Sequence, residues 1–241
     1  MNIVLVKDYQ ELSVEAANIV AREIERKKDT VLCLPTGQTP LGMYQELIKK
    51  NQNGELDFSK VITFNLDEYY GLSPEHPQSY HYYMWHNFFQ YINIKKENVH
   101  LLKGIIEDIL AECQQFDELI REKGGIDLQI LGIGNNGHLG FNEPALSLHG
   151  KTHLVNLSDD TIQANSRFFD DINEVPKQAL TIGMETIMKA KKVILLASGE
   201  HKAAAINKTV NGLISTQAPS TFLQMHTDAT LIIDKEAASQ L

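Results

Sequence analysis

Residues 31–50 read VLCLPTGQTPLGMYQELIKK: four apolar residues, a polar turn carrying Gly37, and an amphipathic run opened by Thr39-Pro40. An apolar tetrad bounded by turn residues predicts a strand buried on both faces. Thr39 as N-cap and Pro40 as first helical residue predict a helix through Lys50. The same strand–helix alternation recurs on either side. Strands are predicted at residues 3–6, 61–64, 126–131, 193–197 and 230–233. Helices are predicted from the Asp8 cap through Ile24, near residues 80–89, at 107–123 ending on Gly124-Gly125, at 158–168 and at 203–210. Alternation of this kind implies an α/β fold, an open and mostly parallel sheet with helices on both faces. With no repeat, low-complexity tract or Pro/Gly/Ser linker to divide it, the chain reads as one α/β domain over residues 1–241.

The bulk properties narrow the function. Among 241 residues the formal net charge is −9, which disfavours nucleic acid or an anionic membrane as the main partner, because both attract a basic field. A small anion is still admissible, since it needs only a local cluster of donors. Two cysteines give neither a disulfide framework nor metal spacing. The start, MNIVLVKDYQ, lacks the basic and apolar regions of a signal peptide, and no apolar run reaches membrane-spanning length. A cytoplasmic protein is expected.

In open α/β sheets ligands bind beyond the carboxyl ends of the strands. Four loops fall there: PTGQTP after VLCL, NLDEYYG after VITF, GIGNNGHLGFNEP after LQIL and SGEHK after VILLA. They are the segments richest in Gly, Asp, Asn, His and Lys. In PTGQTP, Thr36, Gly37, Gln38 and Thr39 stand before a helix start, where backbone N–H groups and the helix dipole suit an anion. The terminal Gly-Lys-Ser/Thr of a Walker loop is missing. Gly132, Gly134 and Gly137 spell G-x-G-x-x-G, yet the loop runs on to Phe141-Asn142-Glu143-Pro144 instead of opening a helix, so a dinucleotide site is not indicated. Those glycines are read as letting backbone approach a ligand closely.

Asn136, His138 and Glu143 share that loop. Histidine is the natural proton shuttle near neutral pH, and a carboxylate can fix its tautomer. Asp67, just past a strand and among apolar neighbours, would have a raised pKa suited to taking a proton from carbon, although either Asp67 or Glu68 could be the one that points inward. Arg167 and Lys202 are the cations expected around a phosphate on the PTGQTP loop. His149 and His153 stand at i, i+4 with Gly150 between them and lack an acidic ligand, so no metal is called for. The aromatic run SYHYYMWHNFF reads as a core helix or a lid.

Together, LPTGQTP, VITFNLDEYYGL, HPQSYHYYM, GIGNNGHLGFNEP, ANSRFF, VPKQALTIG and the Lys202 region resemble the glucosamine-6-phosphate deaminase family over nearly the whole chain. The resemblance implies a Rossmann-like fold and the conversion of glucosamine 6-phosphate and water into fructose 6-phosphate and ammonia, with no cofactor or metal. It implies Asp67 as the base that moves a proton from C2 to C1, and His138 as the ring-opening group supported by Glu143 and Asn136. Thr36, Gly37, Gln38, Thr39, Arg167 and Lys202 are then the phosphate and substrate contacts. Many relatives carry Asp where this chain has Asn136, which predicts an altered pH profile. The stretch ALSLHGKTHLVNL after Pro144 has only Lys151 firmly cationic and the chain ends soon after the last strand. No activation by N-acetylglucosamine 6-phosphate and a monomer or small homo-oligomer are therefore expected. Two alternatives are 6-phosphogluconolactonase and a non-catalytic sugar-phosphate sensor. The LGFNEP and FNLDEYYGL segments disfavour the first, and the Asp67/His138 pair has no use in the second.

Overall fold

A computed structural model describes residues 1–166, 169 and 171–241. In chain order the first half contains β1 (Asn2–Val6), α1 (Tyr9–Arg26), β2 (Val31–Leu34), α2 (Leu41–Gln52), β3 (Ile62–Asn65), β4 (Asp67–Tyr69), α3 (Tyr80–Asn87) and β5 (Val99–His100). Then come α4 (Ile109–Glu122), β6 (Leu128–Leu131), β7 (His153–Asn156), α5 (Asp159–Ser166) and β8 (Gln178–Thr181). The chain finishes with α6 (Met184–Lys189), β9 (Lys192–Ala197), α7 (Ala203–Asn211) and β10 (Ala229–Asp234).

Seven strands form one sheet in the order β1-β10-β9-β6-β2-β3-β5, and every neighbouring pair is parallel. Its inner strands are apolar on both faces because both faces are covered. Leu32, Leu34, Ile130 and Ile194 pack with Leu12, Ala16, Val20 and Ile24 of α1. Cys33, Leu131 and Leu195 pack on the other face with Phe116 of α4 and Ile206 of α7. α1 begins where expected, with the Asp8 carboxylate accepting from the Glu11 N–H.

From β2 the chain steps to β3 and β5 on one side, whereas β6 leads to β9 and β10 on the other. The topological switch lies between β2 and β6. Crevices open at such points because the two connections leave in opposite directions.

Three features differ from the sequence reading. Thr39 does not cap α2: the helix starts at Leu41 with Pro40 as N-cap and no side-chain cap bond. The two donors a Thr39 cap would need are already engaged, the Leu41 N–H by the Gln38 carbonyl at 3.3 Å and the Gly42 N–H by the Tyr9 hydroxyl at 2.9 Å. A second, antiparallel sheet, β4-β8-β7, is additional to the predicted one. Asp67 and Glu68 accordingly lie in a strand and not in a loop.

Candidate active site

β3 continues through a single residue, Leu66, into β4. Leu66 is held between the layers, its N–H bonded to the Leu34 carbonyl at 3.3 Å and its carbonyl to the Ile182 N–H at 2.8 Å. This delivers Asp67 to the carboxyl edge of the main sheet, opposite Thr181 of β8. Both acids of the pair are inward, Asp67 at 7% exposure and Glu68 at 2%. Alternate strand residues face opposite ways, and here each side offers a buried environment. Burial pushes the Asp67 carboxyl up to about 8, the nearby Glu68 charge adds to this, and among the described residues no hydrogen bond offsets it. Glu68 is pushed by burial to about 7, against three backbone N–H groups that favour its charge.

The loop after β6 supplies the second group. His138 Nδ1 lies 3.3 Å from Glu143 Oε2, within ion-pair reach when the imidazole is protonated. Glu143 is fixed from three further sides. The Asn136 amide donates to Oε2 at 2.7 Å, the Thr161 hydroxyl of α5 donates to Oε1, and the Ser158 hydroxyl lies 3.4 Å from Oε1. Burial would raise the Glu143 pKa, but hydrogen bonding and charge from His138, with Thr161 and Asn136, hold it down at about 2. The Asn136 side chain also accepts from the His138 backbone N–H at 3.1 Å. It thus positions the loop and the glutamate, and does not bond the imidazole.

The glycines of this loop serve the protein's own side chains. A β-carbon on Gly134 would sit 2.3 Å from the His138 ring, so the imidazole lies flat on that backbone. One on Gly140, at φ +57°, would stand 3.0 Å from Thr181 Oγ1 and 3.5 Å from Asp67 Oδ2. The histidine loop therefore runs against the strand that carries Asp67. The expectation that these glycines admit a ligand is replaced, at Gly134, by a seat for His138.

Three tyrosines, to which the sequence assigned no role at this loop, hold PTGQTP from behind. The Tyr44 hydroxyl donates to the Pro35 carbonyl at 2.6 Å, Tyr83 to Gly37 at 2.5 Å and Tyr9 to Gln38 at 3.1 Å. Among the described residues, the backbone N–H groups of Thr36, Gly37, Gln38 and Thr39 meet no protein acceptor. Lys202, after β9, donates to the Asn135 side chain at 2.9 Å, tying the SGEHK loop to the histidine loop. Arg167 lies outside the described residues.

His149 and His153 do not share a helix; their rings stack 4.2 Å apart with His153 on β7. Among the described residues no group of three or more His, Cys, Asp or Glu side chains is placed to hold a metal ion. The same residues include no helix long and apolar enough to cross a membrane. The contacts of Glu68 and of the tyrosines carry no sequence signal, because their partners are backbone groups.

A buried carboxyl and a histidine–carboxylate pair stand near the carboxyl edge of a parallel sheet, as groups able to exchange protons, and the chain is a Rossmann-like α/β protein of the sugar-phosphate enzyme class. It belongs to the glucosamine-6-phosphate isomerase/6-phosphogluconolactonase family, whose profile matches residues 7–232. A glucosamine-6-phosphate deaminase of Thermoanaerobacter pseudethanolicus is 59% identical over 239 residues, 99% of this chain and 94% of that protein. One of Halothermothrix orenii is 57% identical over 241 residues, all of both chains. A solved structure described as a monomeric glucosamine-6-phosphate deaminase superposes at a TM-score of 0.97 with 46% identity, covering both chains completely. A 6-phosphogluconolactonase from Thermotoga maritima shares the fold, at a TM-score of 0.75, 20% identity and 97% and 99% coverage.

Proposed function

We propose that the chain converts glucosamine 6-phosphate and water into fructose 6-phosphate and ammonia, and that the residues above divide the work as follows. The observation that carries the assignment of roles is the Asp67 carboxyl, buried, without a donor among the described residues, and bordered by the loop of His138. Glu143 is ionised throughout the neutral range and faces Nδ1, which orients the ring and leaves Nε2 to exchange protons. His138 takes the C1 hydroxyl proton and returns one to the ring oxygen, opening the pyranose to the aldehyde.

Asp67, once ionised, removes the C2 proton while the substrate's ammonium passes one of its protons to O1, giving an enolamine. The same carboxyl then returns its proton to C1, leaving an iminium at C2. Water adds there and ammonia departs, giving the ketose. Every step is a proton transfer or an addition–elimination, so none needs an electron acceptor. The substrate's amino group, as an ammonium beside Asp67, favours the ionised carboxylate that the step requires.

The phosphate belongs at PTGQTP, where the tyrosines engage the carbonyls and the unpartnered N–H groups of Thr36 to Thr39 are available to an anion. Lys202 and Arg167 complete this clamp. A lactonase would have little use for Asp67, and a sensor would bury it at an electrostatic cost without employing it. We also infer a single-domain monomer working in the cytoplasm. The monomeric deaminase at 46% identity supports the assembly, and two buried free thiols, Cys33 and Cys113, suit a reducing compartment. Lys151 is engaged by Glu185 at 3.4 Å, which supports the absence of an effector site in that stretch.

The test is direct. Incubation with glucosamine 6-phosphate is expected to release ammonia and fructose 6-phosphate in equal amounts. No turnover, alongside rapid hydrolysis of 6-phosphogluconolactone, would overturn the assignment. Sedimentation at micromolar concentration checks the monomer.

A further inference from the structure

We propose that Glu68 is a positioning residue that places the carbon base and the phosphate loop in one frame, by tying the strand of Asp67 to the helix whose Tyr83 holds Gly37. The inference rests on the roles given above to Asp67 and PTGQTP.

The Glu68 carboxylate accepts three backbone hydrogen bonds. Oε1 receives the N–H of Tyr69, its neighbour in β4, at 2.8 Å, and that of Tyr80 at 2.8 Å. Oε2 receives the His81 N–H at 2.8 Å. Tyr80 and His81 are the first two residues of α3, and the N-cap Ser79 separately accepts from Tyr82. Two side chains thus share the orphan donors of one helix start, with the buried charge set where the helix dipole favours an anion. One turn on, Tyr83 of α3 bonds the Gly37 carbonyl. The path from Asp67 to the phosphate loop runs through Glu68, the first turn of α3 and one phenol.

A residue that only filled this space could be neutral. Glutamine has the same volume, but its single acceptor oxygen cannot serve donors on both sides, and its NH2 would confront an N–H. The charge also matters to the neighbour, since the Glu68 carboxylate adds to burial in raising Asp67.

The experiment is a kinetic cycle of Glu68→Gln, Tyr83→Phe and the double variant, each with a pH profile of kcat/KM. Glu68→Gln is expected to raise KM for glucosamine 6-phosphate about tenfold, the scale of a lost charged hydrogen bond. It is also expected to move the acid limb of the profile to lower pH, because Asp67 loses a neighbouring charge. Tyr83→Phe is expected to raise KM several-fold and leave the acid limb in place. In the double variant the KM effects should combine to less than their product, because both substitutions cut one strap.

A Glu68→Gln protein that is merely less stable, with wild-type KM and acid limb, overturns the proposal, as does a wild-type KM in Tyr83→Phe. If Glu68→Gln does not fold, the Tyr83→Phe KM decides alone. Asp67→Asn is the control on the underlying reading: wild-type turnover in that variant refutes the role of Asp67 whatever Glu68 does.

Discussion

Asp67→Asn is expected to make the protein more stable while removing its activity. The carboxyl rises from its ordinary 3.8 to about 8 in the folded chain, whereas in the unfolded chain it titrates near 3.9. Between those values the folded protein holds a proton that the unfolded chain has released, so stability falls as pH rises through that window. Below about pH 4 both states are protonated and Asp67 contributes nothing; above about pH 8 the full penalty applies. Each pH unit inside the window corresponds to about 1.4 kcal/mol, which reaches about 4 kcal/mol at pH 7 and about 2 kcal/mol at pH 5. Water on the open side of the site offsets part of this and leaves an expected gain of about 2–4 kcal/mol at pH 7. Asparagine fills the same volume without a charge, so the variant should escape the penalty. Urea denaturation of both proteins at pH 5, 7 and 8 measures the gap, and ammonia release measures the activity, expected to drop by about a thousandfold. A gap that does not widen with pH, or a variant less stable at pH 7, would refute the reasoning.

Three other substitutions test the remaining parts of the site. Glu143→Gln should lower kcat about a hundredfold. Because the Glu143 pKa is depressed from 4.5 to about 2, its stabilising effect is present above pH 4.5 and lost as pH falls through 2. Denaturation of this variant should show a loss of about 3 kcal/mol at pH 7 that disappears in strong acid. Asn136→Asp puts a carboxylate oxygen against Glu143 Oε2, where the amide now donates at 2.7 Å. Two charges that close cannot both persist, so the pH profile of kcat/KM should shift by about one unit; superimposable profiles would count against the assigned contacts. Lys202→Met should raise KM for glucosamine 6-phosphate about 10- to 100-fold, with a smaller change in kcat, if the ammonium meets the phosphate. Initial-rate kinetics separates the two.

Much of the main sheet was legible because its strands are buried on both faces and read as unbroken apolar runs. VLCL coincides with β2, and the strands predicted at 126–131, 193–197 and 230–233 differ from β6, β9 and β10 only at their ends. The four carboxyl-end loops were legible for the complementary reason, a density of polar residues that no core could absorb. β4, β7 and β8 were not legible. DEY, HLVN and QALT are short, and Asp67 meets its partner Thr181 only after nearly half of the chain has intervened. A strand pattern also predicts one acid inward and one outward. Both are buried because one looks into the site and the other into the start of α3, a fact of tertiary packing. The tyrosine clamp was invisible because a phenol can bond any carbonyl within reach and the sequence does not say which.

The seat under His138 changes how tolerance to mutation should be read. A β-carbon at residue 134 would overlap the imidazole at 2.3 Å, and every codon one base away from glycine that encodes another amino acid encodes one with a β-carbon. Position 134 has no permissive neighbour in sequence space. A saturation screen for activity would score Gly134 as strictly as His138, although glycine offers the substrate no side chain. Intolerance at this loop records the footprint of a ring as well as the chemistry the ring performs.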